Sequence, residues 1–193
     1  FIIAEREKGD FHISFKGERD LVTEADLGAE KIILSSIRAA FPNDAILSEE
    51  ASPNEKDFSG PLWIIDPIDG TTNFAQGHPQ VGVSIAFSQG GVTQVGVVHA
   101  PFLNETFSAI RGAGSYLNDK RLQITDETKF SRALIGTGFP YKRDALGPLM
   151  KRLANVLAHC RDLRRLGAAS LDISWVACGR LQGFYESLAP WDM

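Results

Sequence analysis

Several acids of this chain stand where apolar runs end. Trp63-Ile64-Ile65 stops at Asp66, and Pro67, Asp69 and Gly70 follow before Thr71 and Thr72. A short apolar run closed in this way reads as a buried strand with carboxylates at its carboxyl end. Pro67 has no N–H for a ladder, so the strand is expected to end there. Asp69 and Gly70 make a turn, and the segment after it could open a helix. Carboxylate oxygens suit hard divalent cations, and a helix N-terminus suits a phosphate. An Asx turn behind a core strand explains the same residues without any chemistry.

A second apolar run, Ala45-Ile46-Leu47-Ser48, leads straight into Glu49-Glu50. Two strands ending in Glu49 and in Asp66 and Asp69 would gather carboxylates at one edge of a sheet. Like charges that close repel one another unless cations sit between them. Further along, Gly183-Phe184-Tyr185 reads as a strand ending in Glu186, and Asp192 follows Trp191. Asp26, three residues after Thr23, fits a capping box at a helix start, which accounts for it without a functional role. The four histidines are scattered and the two cysteines, Cys160 and Cys178, lack CxxC spacing. Any metal is therefore expected to be held by oxygen.

Other elements must position these groups. Residues 11–16 alternate as a strand, and a helical pattern follows Thr23, with Leu27, Ile32, Ile33, Leu34, Ile37 and Phe41 apolar and Pro42 at its end. Runs 81–87 and 92–99 pair through a Gly90-Gly91 turn. Runs 106–110 and 115–117 add two more strands, predicting a largely antiparallel or mixed sheet. The polar stretch 119–132 is the expected boundary between an N-terminal α+β part (1–125) and a C-terminal α/β part (126–193). In the second part, 133–136 and 163–166 read as strands and 145–159 as a helix. Gly167-Ala168-Ala169-Ser170 opens another helix, whose small residues suit either a ligand against the backbone or close helix–sheet packing.

Composition sets the class. In 193 residues, 44% are hydrophobic and 23% charged, as in soluble globular proteins. No apolar run is long enough to cross a bilayer, and no signal-peptide pattern stands at the front. A net charge of −4 argues against a general nucleic-acid-binding surface. The chain opens at Phe1 without an initiator Met and stops at Trp191-Asp192-Met193, just after a strand-like run. It is expected to be a piece of something longer, and a piece ending there is expected to bind a second metal weakly and to show little activity.

Together these stretches resemble the inositol monophosphatase family of metal-dependent phosphatases. Trp63 to Phe74 is similar to the family's first signature, and Trp191-Asp192 to the start of its second. Asp20-Leu21-Val22-Thr23 leading to Asp26, Ser48-Glu49-Glu50 and Gly167-Ala168-Ala169 fall in matching order. The resemblance implies an α/β fold, the layered αβαβα sandwich shared with fructose-1,6-bisphosphatase. It implies two or three Mg²⁺ ions held by Glu49, Asp66, Asp69, Asp192 and the Ile68 carbonyl. Glu49, Thr71 and Asp69 become the catalytic set, with Thr71 and Glu49 acting on the attacking water. Gly70, Thr71, Ala169, Glu186 and Asp192 become substrate contacts, and Lys16 and Asp26 outer residues near the metals.

The activity implied is Mg²⁺-dependent hydrolysis of a small phosphomonoester, with myo-inositol monophosphate ranked first because Thr72-Asn73-Phe74 follows the Asp-Gly-Thr core. Fructose 1,6-bisphosphate, or a broad range of sugar and nucleotide phosphates, is the alternative within the family. A regulatory binding role with little catalysis is the alternative outside it. A cytoplasmic homodimer, lithium inhibition, and no membrane or direct nucleic-acid partner complete the expectations.

Overall fold

The computed structural model describes residues 1–18, 20–55, 58–124, 129–141, 144 and 146–192. Helix α1 (Ile2–Lys8) comes first, followed by an antiparallel hairpin of β1 (Ile13–Phe15) and β2 (Leu21–Thr23). Helix α2 (Glu24–Ala40) then starts where the sequence places it. Thr23 and Asp26 form the capping box: the Thr23 N–H donates to Asp26 Oδ2 at 2.8 Å, and the Thr23 hydroxyl reaches the same oxygen at 2.5 Å. This satisfies amides that a helix start otherwise leaves orphaned.

Strands β3 (Ala45–Ser48), β4 (Pro61–Asp69), β5 (Gly82–Gln89), β6 (Val92–Ala100), β7 (Glu105–Ile110), β8 (Gly114–Leu117) and β9 (Lys120–Arg121) form one seven-stranded sheet in sequence order. Only β3 and β4 run parallel; every later pair is antiparallel. The short helix α3 (Thr71–Ala75) lies between β4 and β5. A second, parallel sheet orders β11 (Asp162–Arg164), β10 (Leu134–Thr137) and β12 (Gly183–Tyr185), with helices α4 (Leu146–His159) and α5 (Ala169–Ala177) in its connections. The proposed boundary at 125/126 lies outside the described residues, as does the expected first residue of α4, Ala145.

Two helices cover opposite faces of the large sheet. Val83 and Ile85 pack toward α2, in clusters with Ala25 and Ala29 and with Leu34 and Ile37. Gly82, one position away, faces α5 instead: a Cβ there would lie 2.7 Å from Ser170 Oγ and 3.5 Å from Leu171. Alternation along the strand makes these opposite sides. Ala168 and Leu171 bury against Ala100 and Phe107, so α5 is packed onto the large sheet as well as its own. No described helix is long and apolar enough to cross a membrane.

One expectation needs correction. Strand β4 does not end at Pro67 but continues to Asp69. Asp66 faces Ser84 on β5 and Asp69 faces Gly82, so three steps on one strand match two on the other. This is a bulge, where a proline's missing N–H costs no ladder bond. Its consequence is decisive for the site. In a regular strand, residues three apart point to opposite faces. The extra residue brings Asp66 and Asp69 to the same one.

Candidate active site

Parallel pairing places the two acid-ended strands side by side. Ser48 is level with Ile65, and the Glu49 N–H donates to the Ile65 carbonyl at 3.2 Å, so Glu49 emerges beside Asp66. Asp192 comes from a 3₁₀ turn (Pro190–Asp192), where its Oδ2 accepts the Ala189 N–H at 2.8 Å. Asp66, Asp69 and Asp192 each offer an oxygen within 4.8 Å of the others. They line a cavity of about 440 Å³, together with Glu49, Ile68, Gly70, Thr71, Ala169 and Glu186.

The buried carboxylates are tied down individually. Asp66 is 2% exposed, and its Oδ1 accepts the Ile68 N–H at 3.1 Å. Asp69 reaches across to cap α5. Its Oδ1 accepts the Ala169 N–H at 3.1 Å, and its Oδ2 accepts the Ser170 N–H at 2.7 Å and the Ser170 hydroxyl at 2.5 Å. The small residues at the start of α5 therefore serve this close approach. Gly70 turns the chain with φ +87, and a Cβ there would lie 2.8 Å from the Gln80 carbonyl and 3.1 Å from that of Gly167. Asn73 is a strut the sequence reading left without a role. Its Nδ2 donates to the carbonyls of Gln80 and Leu166 at 2.7 and 2.8 Å, fastening α3 to the loop before α5.

Asp26 does more than cap. Its Oδ1 lies 2.9 Å from Thr71 Oγ1, which is also 3.0 Å from the Ile68 carbonyl. A single hydroxyl proton serves one of these acceptors at a time. Lys16 does not stand among the cavity-lining residues; its ammonium is 2.9 Å from Glu49 Oε1 and 2.5 Å from Glu50 Oε1. Burial works against that ammonium's charge, but its bonds and attraction to Glu50 and Glu49 prevail and hold its pKa above normal.

The electrostatics of the floor are those of crowded acids. Burial, then repulsion from Asp69, Glu49 and Asp192, holds the Asp66 pKa well above the ordinary carboxylate range. Asp69 is raised by burial against the opposing pull of its Ser170 and Ala169 hydrogen bonds. Burial pushes Asp192 up to about 7. Such a set resists full ionisation unless positive charge enters it. All its donors are oxygens, the ligand type of hard divalent cations, so the residues fit Mg²⁺.

The cavity contains residues to which the sequence reading gave no role: Asp20, Phe139, Tyr141 and Arg165 among them. Arg165 stands two residues before Gly167, and that adjacency to the glycine turn was the available signal. Asp172, a lone acid in the apolar face of α5, is 1% exposed, and its Oδ1 has no hydrogen-bond partner among the described residues.

A carboxylate floor beside a hydroxyl and a glycine turn has the donor types that a metal-dependent phosphatase site requires. The chain belongs to the inositol monophosphatase family, whose model matches residues 1–193. It is 41% identical over 189 residues to inositol monophosphatase 1 of Solanum lycopersicum, covering 94% of this chain and 69% of that one. It is 39% identical over 188 residues to a protein named Nus factor SuhB in Pasteurella multocida, covering 96% and 70%. The crystal structure of extragenic suppressor protein SuhB from Bartonella henselae superposes with a TM-score of 0.92 at 36% identity, over 100% of this chain and 75% of that one. The fold is thus the layered mixed α/β arrangement that the resemblance implied. The expectation of no nucleic-acid partner gains no support, since names of enzymes and of Nus factors stand side by side among the relatives.

Proposed function

We propose that this protein hydrolyses phosphate monoesters of polyols, with myo-inositol monophosphate as the leading substrate, in an Mg²⁺-dependent reaction. The observation that carries the reading is the convergence of Asp66, Asp69 and Asp192 within 4.8 Å of one another, in a cavity that also presents Thr71. Glu49 and the Ile68 carbonyl complete the proposed ligand set for two or three ions. When bound there, Mg²⁺ supplies the positive charge that lowers the pKa of a coordinated water and offsets charge on the phosphoryl oxygens.

The chain's own groups do the rest. Thr71, by donating its hydroxyl proton to Asp26 Oδ1, keeps Oγ1 lone pairs free to accept a proton from the attacking water. Burial raises the Asp26 pKa, which favours proton acceptance along this relay. Glu49, held by Lys16, orients the same water from the β3 side. The Gly70 and Thr71 N–H groups hold phosphoryl oxygens. Ala169 and Glu186 meet the alcohol, with Glu186 accepting from its hydroxyls. The water oxygen bonds to phosphorus as the ester P–O bond breaks, the water's proton passes through Thr71 to Asp26, and the departing alkoxide takes a proton from solvent water to leave as the alcohol. Residues 1–125 would supply most metal ligands, and 126–193 Asp192 and the substrate wall. A cytoplasmic homodimer inhibited by lithium completes the proposal.

The test is phosphate release, with and without Mg²⁺, from inositol 1-phosphate, fructose 1,6-bisphosphate and 3′-phosphoadenosine 5′-phosphate. Release mainly from inositol 1-phosphate supports the reading, and release mainly from another ester moves the substrate. No release from any by the full-length protein would sink it. A second reading, regulatory binding, is favoured by the relatives named Nus factor SuhB. It predicts that a catalytically silent Asp69→Asn variant still captures a stable partner.

A further inference from the structure

Among the described residues that line the cavity, Arg165 is the one cation, opposite a floor of carboxylates. Its guanidinium leans on a glycine: a Cβ at Gly167 would lie 2.3 Å from Arg165 Nη1, so no other residue at 167 would leave it there. Arg165 Cζ lies 5.9 Å from the Phe139 ring centroid. Among the described residues it forms no hydrogen bond or close ion pair. Five N–H donors in a rigid fork thus border the cavity without a protein acceptor.

Its charge is felt on one wall. Burial raises the pKa of both Glu186 and Asp172, and Arg165 is the group that pulls each back down. The leading influences on Asp66, Asp69 and Asp192 are burial, local hydrogen bonds and other carboxylates. Arg165 therefore acts on the Glu186 wall, where the proposed reaction places the alcohol.

We propose that Arg165 determines specificity by binding an oxygen acceptor on the part of the substrate that is not transferred. Beside Glu186, which can only accept while ionised, it makes a wall that reads donors and acceptors together. The favoured substrates are monoesters whose alcohol carries a further oxygen-rich group, either a ring hydroxyl or a second phosphate. The inference rests on the phosphatase reading above.

The experiment compares the parent chain with Arg165→Met and Arg165→Lys on inositol 1-phosphate, fructose 1,6-bisphosphate and phenyl phosphate, whose leaving group carries no oxygen acceptor beyond the ester oxygen. Arg165→Met is expected to lose about tenfold or more in kcat/KM on the first two, chiefly through KM, as for a lost hydrogen bond to a charged group. The loss on phenyl phosphate is expected to be several-fold smaller, and Arg165→Lys to recover part of the loss on the first two. A larger loss on the bisphosphate assigns the acceptor to the second phosphate, and a larger loss on inositol 1-phosphate to the ring hydroxyl. Equal losses on all three, or a fall in kcat alone, would overturn the proposal. Calorimetric titration with inositol 1-phosphate in Ca²⁺ separates this from failure of the phosphatase reading. Weaker binding by Arg165→Met upholds the role even without turnover, whereas unchanged affinity, or no binding by the parent, ends it.

Discussion

The end of β4 and the wall across the cavity from it are built in different ways. Around Asp66, Asp69 and Thr71 the side chains are buried and held by short hydrogen bonds to backbone or to partners at 8% exposure or less. The wall of Phe139, Tyr141, Arg165 and Glu186 comes from separate loops of the C-terminal part, with Arg165 and Tyr141 exposed. Chemistry tolerates little displacement of its groups, while selection among alcohols needs only a surface of suitable donors and acceptors. Under the proposed function, the contrast teaches that this cavity separates what reacts from what is recognised. Substitutions at the β4 end should lower kcat for every substrate, whereas those on the wall should change the ratio between substrates.

Asp69→Asn should have the largest effect. It removes one acid of the cluster and turns an amide toward the N–H groups of Ala169 and Ser170, which now donate to a carboxylate. Mg²⁺-dependent phosphate release should fall at least about a thousandfold, and urea unfolding should show a loss of about 1–3 kcal/mol from the unsatisfied buried donors. Retention of turnover would break the assignment of chemistry to β4. Thr71→Ala comes next. Removing the hydroxyl between water and Asp26 should reduce kcat on the order of a hundredfold, as for a lost acid–base relay, with KM nearly constant. Should KM rise instead, Thr71 binds and does not relay.

Glu186→Gln sharpens the other side. The expected change is about tenfold in KM for inositol 1-phosphate, the scale of one charged hydrogen bond, with kcat held within a few-fold. If kcat falls equally for every ester in steady-state assays, the division between the two regions fails.

The smallest effect concerns Asp172, which lies behind the wall. Burial, with repulsion from Asp69 and Glu186, pushes its pKa up to about 7, whereas an unfolded aspartate titrates near ~3.9. Between those values the folded state holds the proton that the unfolded state has lost, so stability falls as pH climbs from about 4 toward 7. Asp172→Asn removes this term. The difference in unfolding free energy between pH 5 and pH 8 should shrink by roughly 1–2 kcal/mol, less than the full shift would give because the structure relaxes. Glu50 and Asp192, both pushed to about 7 chiefly by burial, act in the same direction and keep part of the slope. An identical slope in the variant, measured by urea titration at both pH values, would remove Asp172 from the account.

Much of this protein was legible in its residues. The run from Trp63 to Phe74, the acids after each apolar strand and the Thr23–Asp26 box are local patterns, and local patterns follow from strand and helix periods and from hydrogen bonds between near neighbours. They placed α2, β3 and most of the large sheet, and they nominated Glu49, Asp66, Asp69 and Thr71. Tertiary structure decided what those nominations could not. Pro67 read as a stop, yet the bulge kept the strand going and turned Asp69 to the side of Asp66, because ladder register depends on the partner strand as well as the strand itself. Asp26 read as a cap, yet its second oxygen reaches Thr71 forty-five positions away. The same holds for Asp69 on α5 and Asn73 on Leu166: each joins segments about a hundred residues apart. Arg165 and Asp172 gain their setting only when the C-terminal sheet closes over the first. A side chain's type is written in the chain, but its burial, and so its charge and its partners, are set by which distant backbone comes to lie against it.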